Sequence, residues 1–285
     1  MKTIDTHIHI WDFEKASYSW LENDTSLLNR TYAIGELEKE RKEAGVDAGV
    51  LVQAANNFED TDWMLEVAEK TDWIRGVVGW LPLTDPEATE RALQDKYLVN
   101  PYFKGVRHLI HDEPDARWLL REEVIESLRI LARHHLTYDL VGILPEHIST
   151  ALRVAEKVPD LKMVFDHLNQ PPIQKGERFG KWGELIRQAS AHPNFHAKIS
   201  GMGTTSGKSG TWDRHDIVPY VEFVLDAFGV SRCFCGGDWP VSLLAGSYSY
   251  SWTRYREAIR LLLHEKEQEK VFYENARIFY QLSPK

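Results

Sequence analysis

The sequence predicts an α/β fold, namely a (β/α)8 TIM barrel built as a single domain over residues 1–285. Three observations predict it. The length of 285 residues suits such a barrel, which typically needs about 250 residues. Short apolar or alternating runs typical of strands recur between longer amphipathic helical patterns. No Pro-, Gly- or Ser-rich linker divides the chain, and eight strand–helix repeats favour a closed barrel over an open sheet.

The eight strands and the helices between them can each be assigned to a segment. The segments with strand character are Thr3–Trp11, Ala48–Ala54, Ile74–Leu81, Phe103–Ile110, Leu136–Gly142, Lys162–Leu168, Phe195–Gly201 and Arg232–Trp239. The helical segments are Ile34–Ala44, Asp60–Lys70, Pro86–Leu93, Glu122–His134, Pro145–Lys157, Lys181–His192, Ile217–Phe228, Trp252–His264 and Glu267–Leu282. Strict alternation of this kind implies parallel strands joined by right-handed crossovers.

The longest loops are expected on one face of this barrel. They follow the first, sixth, seventh and eighth strands, at Asp12–Tyr32, Asn169–Gly180, Met202–Asp213 and Val241–Ser251. Loops that follow the strands lie at the C-terminal face of such a barrel, where its active sites are built. We therefore look for functional side chains at the ends of the strands.

The composition narrows the classes of partner. A net charge of -9 repels phosphate backbones and anionic membranes, so nucleic acid is not an expected partner. No run approaches the roughly 18 apolar residues needed to cross a bilayer, and the first residues do not resemble a signal peptide. Two residues apart on a strand, Cys233 and Cys235 are predicted to be small buried core residues rather than a disulfide. These features predict a cytoplasmic protein without a membrane partner, and they leave a homo-oligomer open.

Two histidines lie two residues apart in the first strand. His7 and His9 share one face of that strand, about 6.5 Å apart along it. Both imidazoles can therefore point at one metal ion or one substrate carbonyl. The alternative is a pair of structural histidines satisfied by hydrogen bonds, but their position at the end of the strand favours function.

Two further candidates close later strands. His167 ends the sixth strand segment, and Asp238 ends the eighth within Gly236-Gly237-Asp238-Trp239-Pro240. The paired glycines allow a close approach of the backbone. Either residue alone has an ordinary structural explanation, such as a turn residue for the aspartate. Together with His7 and His9 they place four such side chains at three strand ends, and these ends converge in a barrel.

The motifs resemble those of a known family. Ile4-Asp5-Thr6-His7-Ile8-His9, Gly236-Gly237-Asp238-Trp239-Pro240 and Asn275-Ala276-Arg277 are similar to motifs of the amidohydrolase superfamily. Gly105-Val106-Arg107-His108 and Lys198-Ile199-Ser200-Gly201 match its branch of sugar-acid lactonases, which includes L-fuconolactonase, L-rhamnonolactonase and 2-pyrone-4,6-dicarboxylate lactonase. The resemblance spans nearly the whole chain and implies the same barrel.

The resemblance also limits the metal content. Binuclear members of the superfamily carry a bridging Lys or Glu on the fourth strand and a His on the fifth, whereas this chain has Arg107-His108 and Thr137–Leu140 there. We expect at most one divalent ion, with zinc the first candidate. Metal dependence varies within the lactonase branch, so metal-free activity stays open. The implied ligands are His7, His9, His167 and Asp238.

Several other residues are candidates for substrate contact. Alternation lets only one of Arg107 and His108 face the barrel interior, and we predict that Arg107 does so and binds a carbonyl or a developing oxyanion. Trp80, Tyr138 and Trp239 are predicted to bind substrate, because aromatic faces stack well on sugar rings. Packing over the barrel mouth is the alternative for each of these aromatic residues.

Four positions are assigned with less functional weight. Asp139 can either support the site or be a buried structural carboxylate, and the sequence does not decide between the two. Lys198 is predicted to pair with a carboxylate near the centre of the barrel. His196 is predicted to be structural, and His111-Asp112-Glu113 to be a loop feature.

The resulting functional prediction is a hydrolase that opens a sugar-acid lactone. Asp238, His167 and Arg107 are the predicted catalytic residues, with Asp238 as the general base for water attack on the ester carbonyl. His7, His9 and His167, with or without one divalent ion, and Arg107 would polarise that carbonyl. Two alternatives stay open: a metal-dependent decarboxylase of the same superfamily, and an inactive barrel that binds a sugar acid.

Overall fold

The computed structural model describes residues 1–283 and contains a barrel of eight parallel strands. The strands follow one another in chain order, each paired with the next. They are β1 (Ile4–Ile8), β2 (Ala48–Val52), β3 (Ile74–Gly79), β4 (Phe103–His108), β5 (Thr137–Leu140), β6 (Met163–Phe165), β7 (Phe195–Ile199) and β8 (Cys233–Cys235). Each lies inside the segment predicted for it, so the predicted TIM barrel is confirmed.

The barrel closes where its first and last strands meet. The backbone N–H of Asp238 donates to the carbonyl of His7, and that of His9 donates to the carbonyl of Trp239, both at a distance of 2.7 Å. Asp5 reinforces this seam by accepting the N–H of Gly237 at 2.7 Å. A Cβ atom at Gly237 would lie 2.4 Å from the Asp5 carboxylate, so the close approach requires glycine. The closure therefore aligns two of the strand ends predicted to be functional.

Within residues 1–283, eleven α-helices surround the strands. They are α1 (Glu38–Glu43), α2 (Phe58–Lys70), α3 (Pro86–Ala92), α4 (Glu122–Arg133), α5 (Pro145–Lys157), α6 (Gly180–Ser190), α7 (Met202–Ser206), α8 (Arg214–Phe228), α9 (Tyr248–Leu262), α10 (Glu265–Glu269) and α11 (Asn275–Phe279). The wider helical turns Leu93–Tyr97 and Lys270–Glu274 extend α3 and join α10 to α11. Short 3-10 turns lie at Ser19–Leu21, Ile34–Leu37, Ile110–Asp112, Trp118–Leu120, Asp166–Asn169, Val230–Arg232 and Val241–Leu244.

Two loops are more ordered than the sequence predicted. The expected loop Met202–Asp213 begins with helix α7. Helix α9 starts at Tyr248, four residues before the predicted start at Trp252, because the Ser247 side chain accepts the backbone N–H of Tyr250 and caps it. The loop after β8 is correspondingly shorter than expected.

The C-terminal segment fills the bottom of the barrel. Phe279 and Tyr280 pack with Phe234 and with the strand valines Val50 and Val164 in one apolar cluster. Phe234 is in register with Lys198, and Val164 with Asp139, so these side chains share the inward face of the sheet. The ring of His196 lies 4.5 Å from that of Phe279 near this end, in keeping with its predicted structural role.

Two findings bear on the predictions from composition. Cys233 and Cys235 are free and buried, as predicted, and burial raises the pKa of the Cys233 thiol to about 12. Within residues 1–283, no helix combines the length and the apolar character that crossing a membrane requires.

Candidate active site

Four predicted residues converge at the C-terminal end of the barrel. The Nε2 atoms of His7 and His9 are 3.1 Å apart. One carboxylate oxygen of Asp238, Oδ1, lies 3.5 Å from Nε2 of His9 and 3.8 Å from that of His7. Nε2 of His167 lies 3.9 Å from the same oxygen. Three imidazole nitrogens thus surround one carboxylate oxygen.

The pleat of β1 and its neighbours fix the first two imidazoles. Nδ1 of His9 lies 2.8 Å from the carbonyl oxygen of Val52 at the end of β2. A carbonyl only accepts, so Nδ1 of His9 carries the proton and Nε2 keeps its lone pair. Burial lowers the pKa of His9 and lowers that of His7 well below the usual value, which favours neutral rings. His9 therefore presents the lone pair of Nε2 to the site, while Nδ1 of His7 lies against the Lys198 ammonium at 3.2 Å.

A left-handed turn places the third imidazole. The four residues from His167 to Gln170 have φ angles of 53°, 52°, 53° and 55°, a conformation that residues other than glycine adopt only at a cost. Buried contacts hold it: Ser200 Oγ lies 2.9 Å from His167 Nδ1, and the Trp182 indole N–H donates to the Leu168 carbonyl at 2.8 Å. The turn brings His167 and Gln170 to the same cavity.

Below this site lies a buried ion network, which consists of Asp139, Asp166 and Lys198. The ammonium of Lys198 is 2.5 Å from Asp139 Oδ2 and 2.7 Å from Asp166 Oδ1, and all three side chains are fully buried. The hydroxyl of Tyr280 donates to Asp139 Oδ2 at 2.7 Å. Nδ1 of His7 lies 3.4 Å from Asp166 Oδ1, so the network also supports a site histidine.

The two carboxyl groups of the network differ in their pKa values. Burial alone would raise the pKa of Asp166, but the charge of Lys198, the contact with His7 and the charge of Arg107 hold it well below its usual range. Burial raises the pKa of Asp139 to about 6, although Lys198 opposes this shift. Asp166 is therefore the carboxylate whose negative charge the surroundings favour most.

Arg107 reaches the site from β4, as predicted. Its Nε–H donates to Gln53 Oε1 at 2.9 Å, Nη2 donates to the Gln53 carbonyl at 2.6 Å, and Nη1 lies 3.3 Å from Asp166 Oδ2. His108 makes a different set of contacts, with the Trp80 indole N–H at 3.0 Å and with Glu113 at 2.8 Å. The arginine thus contacts the site, and the adjacent histidine does not.

His9, Arg107, His167 and Asp238 form the bottom of a cavity of about 440 Å³. Its polar lining consists of His9, Arg107, His111, Asp112, His167, Gln170, Thr204 and Asp238, and its apolar lining of Trp20, Ala54, Leu109, Val141, Ile143, Val241 and Leu244. The volume falls within the range of about 300–1,000 Å³ usual for small-molecule sites. We call it the mouth cavity.

A larger concavity lies elsewhere, between the loop after β1 and the start of α2. It measures about 690 Å³ and is bordered by residues such as Phe13, Tyr18 and Asn57. The converging imidazoles and Asp238 are not part of its lining. The mouth cavity is the candidate active site because it combines a concave shape with convergent polar groups.

Three aromatic residues predicted to bind substrate do not line the mouth cavity. Tyr138 is fully buried because it alternates with Asp139, which takes the inward position on β5. The indole of Trp80 is engaged by His108 and packs edge-on against Phe58. Trp239 is buried, with its ring 5.4 Å from that of Tyr32. Trp20 lines the cavity instead.

Sequence reasoning also missed residues that the structure brings to the site. Gln53 carried a signal, since it is a polar residue at the end of an otherwise apolar strand segment. Asp166 did not, because strict alternation places it opposite His167, and the left-handed turn that lets both contribute is not readable from the sequence. His111 and Asp112, assigned only to a loop, line the cavity.

The donor set fits one divalent ion. His7, His167 and Asp238 each offer a ligand atom, and these atoms lie within 4.8 Å of one another; residues 1–283 hold no second group of this kind. Zinc–nitrogen bonds of about 2.0–2.1 Å place two nitrogens of a tetrahedral ion about 3.3 Å apart, close to the 3.1 Å between His7 and His9. The outer nitrogens of His9 and His167 are hydrogen bonded, as is typical of metal-binding histidines.

Comparisons with known proteins agree with this architecture. The chain is 33% identical over 284 residues to an L-fucono-1,5-lactonase of Burkholderia ambifaria, which covers 98% of this chain and 95% of that protein. It is 28% identical over 254 residues to an L-fucono-1,5-lactonase of Burkholderia multivorans, covering 86% and 84% of the two chains. An amidohydrolase from Burkholderia multivorans, solved with bound zinc, has 26% identity, a TM-score of 0.91 and coverage of 99% and 100%. An amidohydrolase family model matches residues 4–282, and the chain therefore belongs to the amidohydrolase family.

Proposed function

We propose that this chain is a hydrolase that opens a sugar-acid lactone. The observation that carries the proposal is the position of Asp238, whose Oδ1 lies among three imidazole nitrogens at the bottom of the mouth cavity. A carboxylate there can take a proton from water, and Arg107 lines the same cavity. Relatives named L-fucono-1,5-lactonase support the choice of an ester of a sugar acid.

The proposed reaction uses the groups of the chain in sequence. Asp238 accepts a proton from the attacking water, and the ester carbonyl becomes a tetrahedral oxyanion. Arg107 stays protonated and donates N–H groups to that oxyanion. The oxyanion then re-forms the carbonyl as the C–O bond of the ring breaks. The protonated Asp238 gives its proton to the leaving alkoxide oxygen, so the lactone becomes a hydroxy acid.

A divalent ion fits the same arrangement. His7, His9, His167 and Asp238 would hold it, and it would supply a more acidic bound water and a polarised carbonyl. Asp166 orients His7 and Ser200 orients His167 in either case. The neutral form of His7 and His9 is the form that binds metal.

The experiment that tests the proposal is a panel of sugar-acid lactones. Each hydrolysis releases a proton, which a pH indicator reports, and the spontaneous rate without enzyme is the blank. We expect the parent to open at least one lactone at a rate well above that blank. The rate of Asp238→Asn should lie close to the blank. A protein that binds one metal ion tightly but opens no lactone would instead favour a decarboxylase of the same superfamily.

Metal content gives a separate prediction. We expect at most one equivalent of divalent ion per chain by elemental analysis, because the donor group contains the single set of ligands described above. Two equivalents bound at the mouth would contradict this. Full activity after exhaustive chelation would select the version of the mechanism without a metal.

A further inference from the structure

The guanidinium of Arg107 is fixed but not saturated. Its three protein contacts use one N–H on each of Nε, Nη1 and Nη2. A guanidinium has five N–H donors, so one on Nη1 and one on Nη2 have no hydrogen-bond partner within residues 1–283. Arg107 lines the mouth cavity, where a substrate oxygen can take these two donors. How the group is held therefore decides what it can offer.

Gln53 supplies two of the three contacts, and its orientation is forced. The amide Nε2 of Gln53 donates to the carbonyl of Ala55 at 3.1 Å and to Asn56 Oδ1 at 3.0 Å. Both partners only accept, so the amide oxygen has to face Arg107. The backbone N–H of Gln53 donates to the Val78 carbonyl at 2.8 Å, which anchors the residue to β3. The fully buried side chain has no other orientation that satisfies its hydrogen bonds.

An amide also leaves the charge of Arg107 in place. The anion in contact with it is Asp166, which Lys198 contacts more closely, at 2.7 Å against 3.3 Å for Arg107. Arg107 and Lys198 balance Asp139 and Asp166, so a carboxylate at position 53 would give this buried group a net negative charge. The new carboxylate would also face the carbonyl oxygen of Ala55 and Oδ1 of Asn56, which now accept hydrogen bonds from the Gln53 amide.

We propose that Gln53 is a positioning residue, which holds the Arg107 guanidinium so that its two remaining N–H groups face the reacting carbonyl and, after ring opening, the product carboxylate. This inference rests on the proposed lactonase function. Gln53 itself acts through Arg107 and contacts no reacting atom.

A double-mutant cycle tests whether Gln53 acts through Arg107. Gln53→Met keeps the length and removes both polar groups, and we expect kcat/KM to fall about 10- to 100-fold. In an Arg107→Met background the same change should cost less than about 2-fold, because the group it positions is gone. Gln188→Met, the same substitution on the exposed side of α6, is the matched control and should leave turnover unchanged. Equal losses in both backgrounds, or no loss at all, would overturn the proposal.

Binding of the product carboxylate gives a second readout that does not need turnover. Titration calorimetry with L-fuconate should show at least about 10-fold weaker binding to Gln53→Glu than to the parent, because the new carboxylate neutralises Arg107. Gln53→Leu adds no buried charge and serves as the second variant if Gln53→Met or Gln53→Glu does not fold. Equal affinity in both proteins, or no binding to the parent, would overturn the role of Gln53. Failure of the lactone panel alone would overturn the proposed function and leave this result to stand.

Discussion

The barrel interior holds two polar groups that differ in how their charges are balanced. In the buried ion network, Lys198 contacts two carboxylates, and Arg107 contacts one of them, so two positive charges face two negative charges. In the site at the mouth, by contrast, the carboxylate of Asp238 contacts three imidazoles and lines the cavity.

This difference separates stability from chemistry. Removing a member of the network leaves an uncompensated buried charge, which costs folding free energy. Changing Asp238 in the site leaves no charge of the network without its partner. The two regions share contacts through Asp166, so the separation is open to test by substitutions on either side.

The largest effect is expected from Asp238→Asn. The substitution keeps the shape and removes the basic oxygen, so kcat should fall by roughly 10²–10⁴-fold, the usual range for a general base. Asp238 has φ 59°, a conformation that asparagine tolerates as well as aspartate, so the fold should accept the change. Steady-state kinetics on the best lactone measures the loss.

Elemental analysis of both proteins separates the base role from loss of a metal ligand. A fall in turnover at unchanged metal content is expected for loss of the base. The free energy of unfolding of Asp238→Asn should stay within about 1 kcal/mol of the parent. Near-parent turnover would mean that another group is the base.

The reverse pattern is expected from Lys198→Met. Without the ammonium, Asp139 and Asp166 face each other in a fully buried space, and the free energy of unfolding should drop by about 3–5 kcal/mol. Chemical denaturation measures the change, with the exposed Lys39→Met on α1 as the matched control. Adding Asp139→Asn should recover part of the loss, since removing both partners costs less than removing one. A loss below about 1 kcal/mol would contradict the assigned role of the network.

The sequence was a good guide to the barrel and to the strand ends. Apolar runs bounded by turn residues predict the strand positions. The structure has strands there because these apolar side chains are buried in the core. The sequence also predicted the shared orientation of His7 and His9, because residues i and i+2 of a strand point to the same face. On β4, alternation left one inward position for Arg107 or His108, and the resemblance to the lactonase branch favoured Arg107.

The parts that failed depend on backbone geometry beyond the strands. Asp166 and His167 serve the same site because the chain turns left-handed at His167. The residues of this turn are not glycines, so the sequence does not indicate the left-handed conformation. Tyr138 was placed at the cavity by its residue type, although the pleat turns it away once Asp139 faces inward. Cavity walls such as Trp20 come from long loops, whose course the sequence pattern does not define.

A smaller effect is expected from Arg107→Lys. The ammonium keeps the charge but loses the planar fork that contacts Gln53 and Asp166 at once. We expect kcat/KM to fall about 10- to 100-fold, because a single ammonium cannot make the three contacts of the guanidinium. Steady-state kinetics on the best lactone checks this, and an unchanged rate would remove Arg107 from the site.

A third buried carboxyl group sharpens the comparison, because it has hydrogen bonds but no cation in contact. Asp60 accepts the hydroxyl of Tyr18 at 2.9 Å and the N–H groups of Ala54 and Ala55 at 2.8 and 3.2 Å. Burial nevertheless raises its pKa to about 6, whereas the cations around Asp166 hold the pKa of that group well below its usual range. These hydrogen bonds and the more distant charge of Arg107 therefore do not offset the loss of water around Asp60.

The smallest effect is a pH dependence of stability that arises from Asp60. Its pKa is about 6 in the folded protein and about 4 in the unfolded chain. The folded state therefore binds the proton of Asp60 more tightly than the unfolded state does. The stabilising contribution is fully present below about pH 4 and is lost as pH rises through about 6. Between about pH 5 and pH 8 the parent should lose about 1.4 kcal/mol through this group, a loss that Asp60→Asn should lack. Urea denaturation of both proteins at the two pH values measures the difference, with the exposed Asp226→Asn as control. If Asp60→Asn and the parent changed equally with pH, the buried carboxyl group would have to keep an ordinary pKa, and the contrast with Asp166 would not depend on the cations.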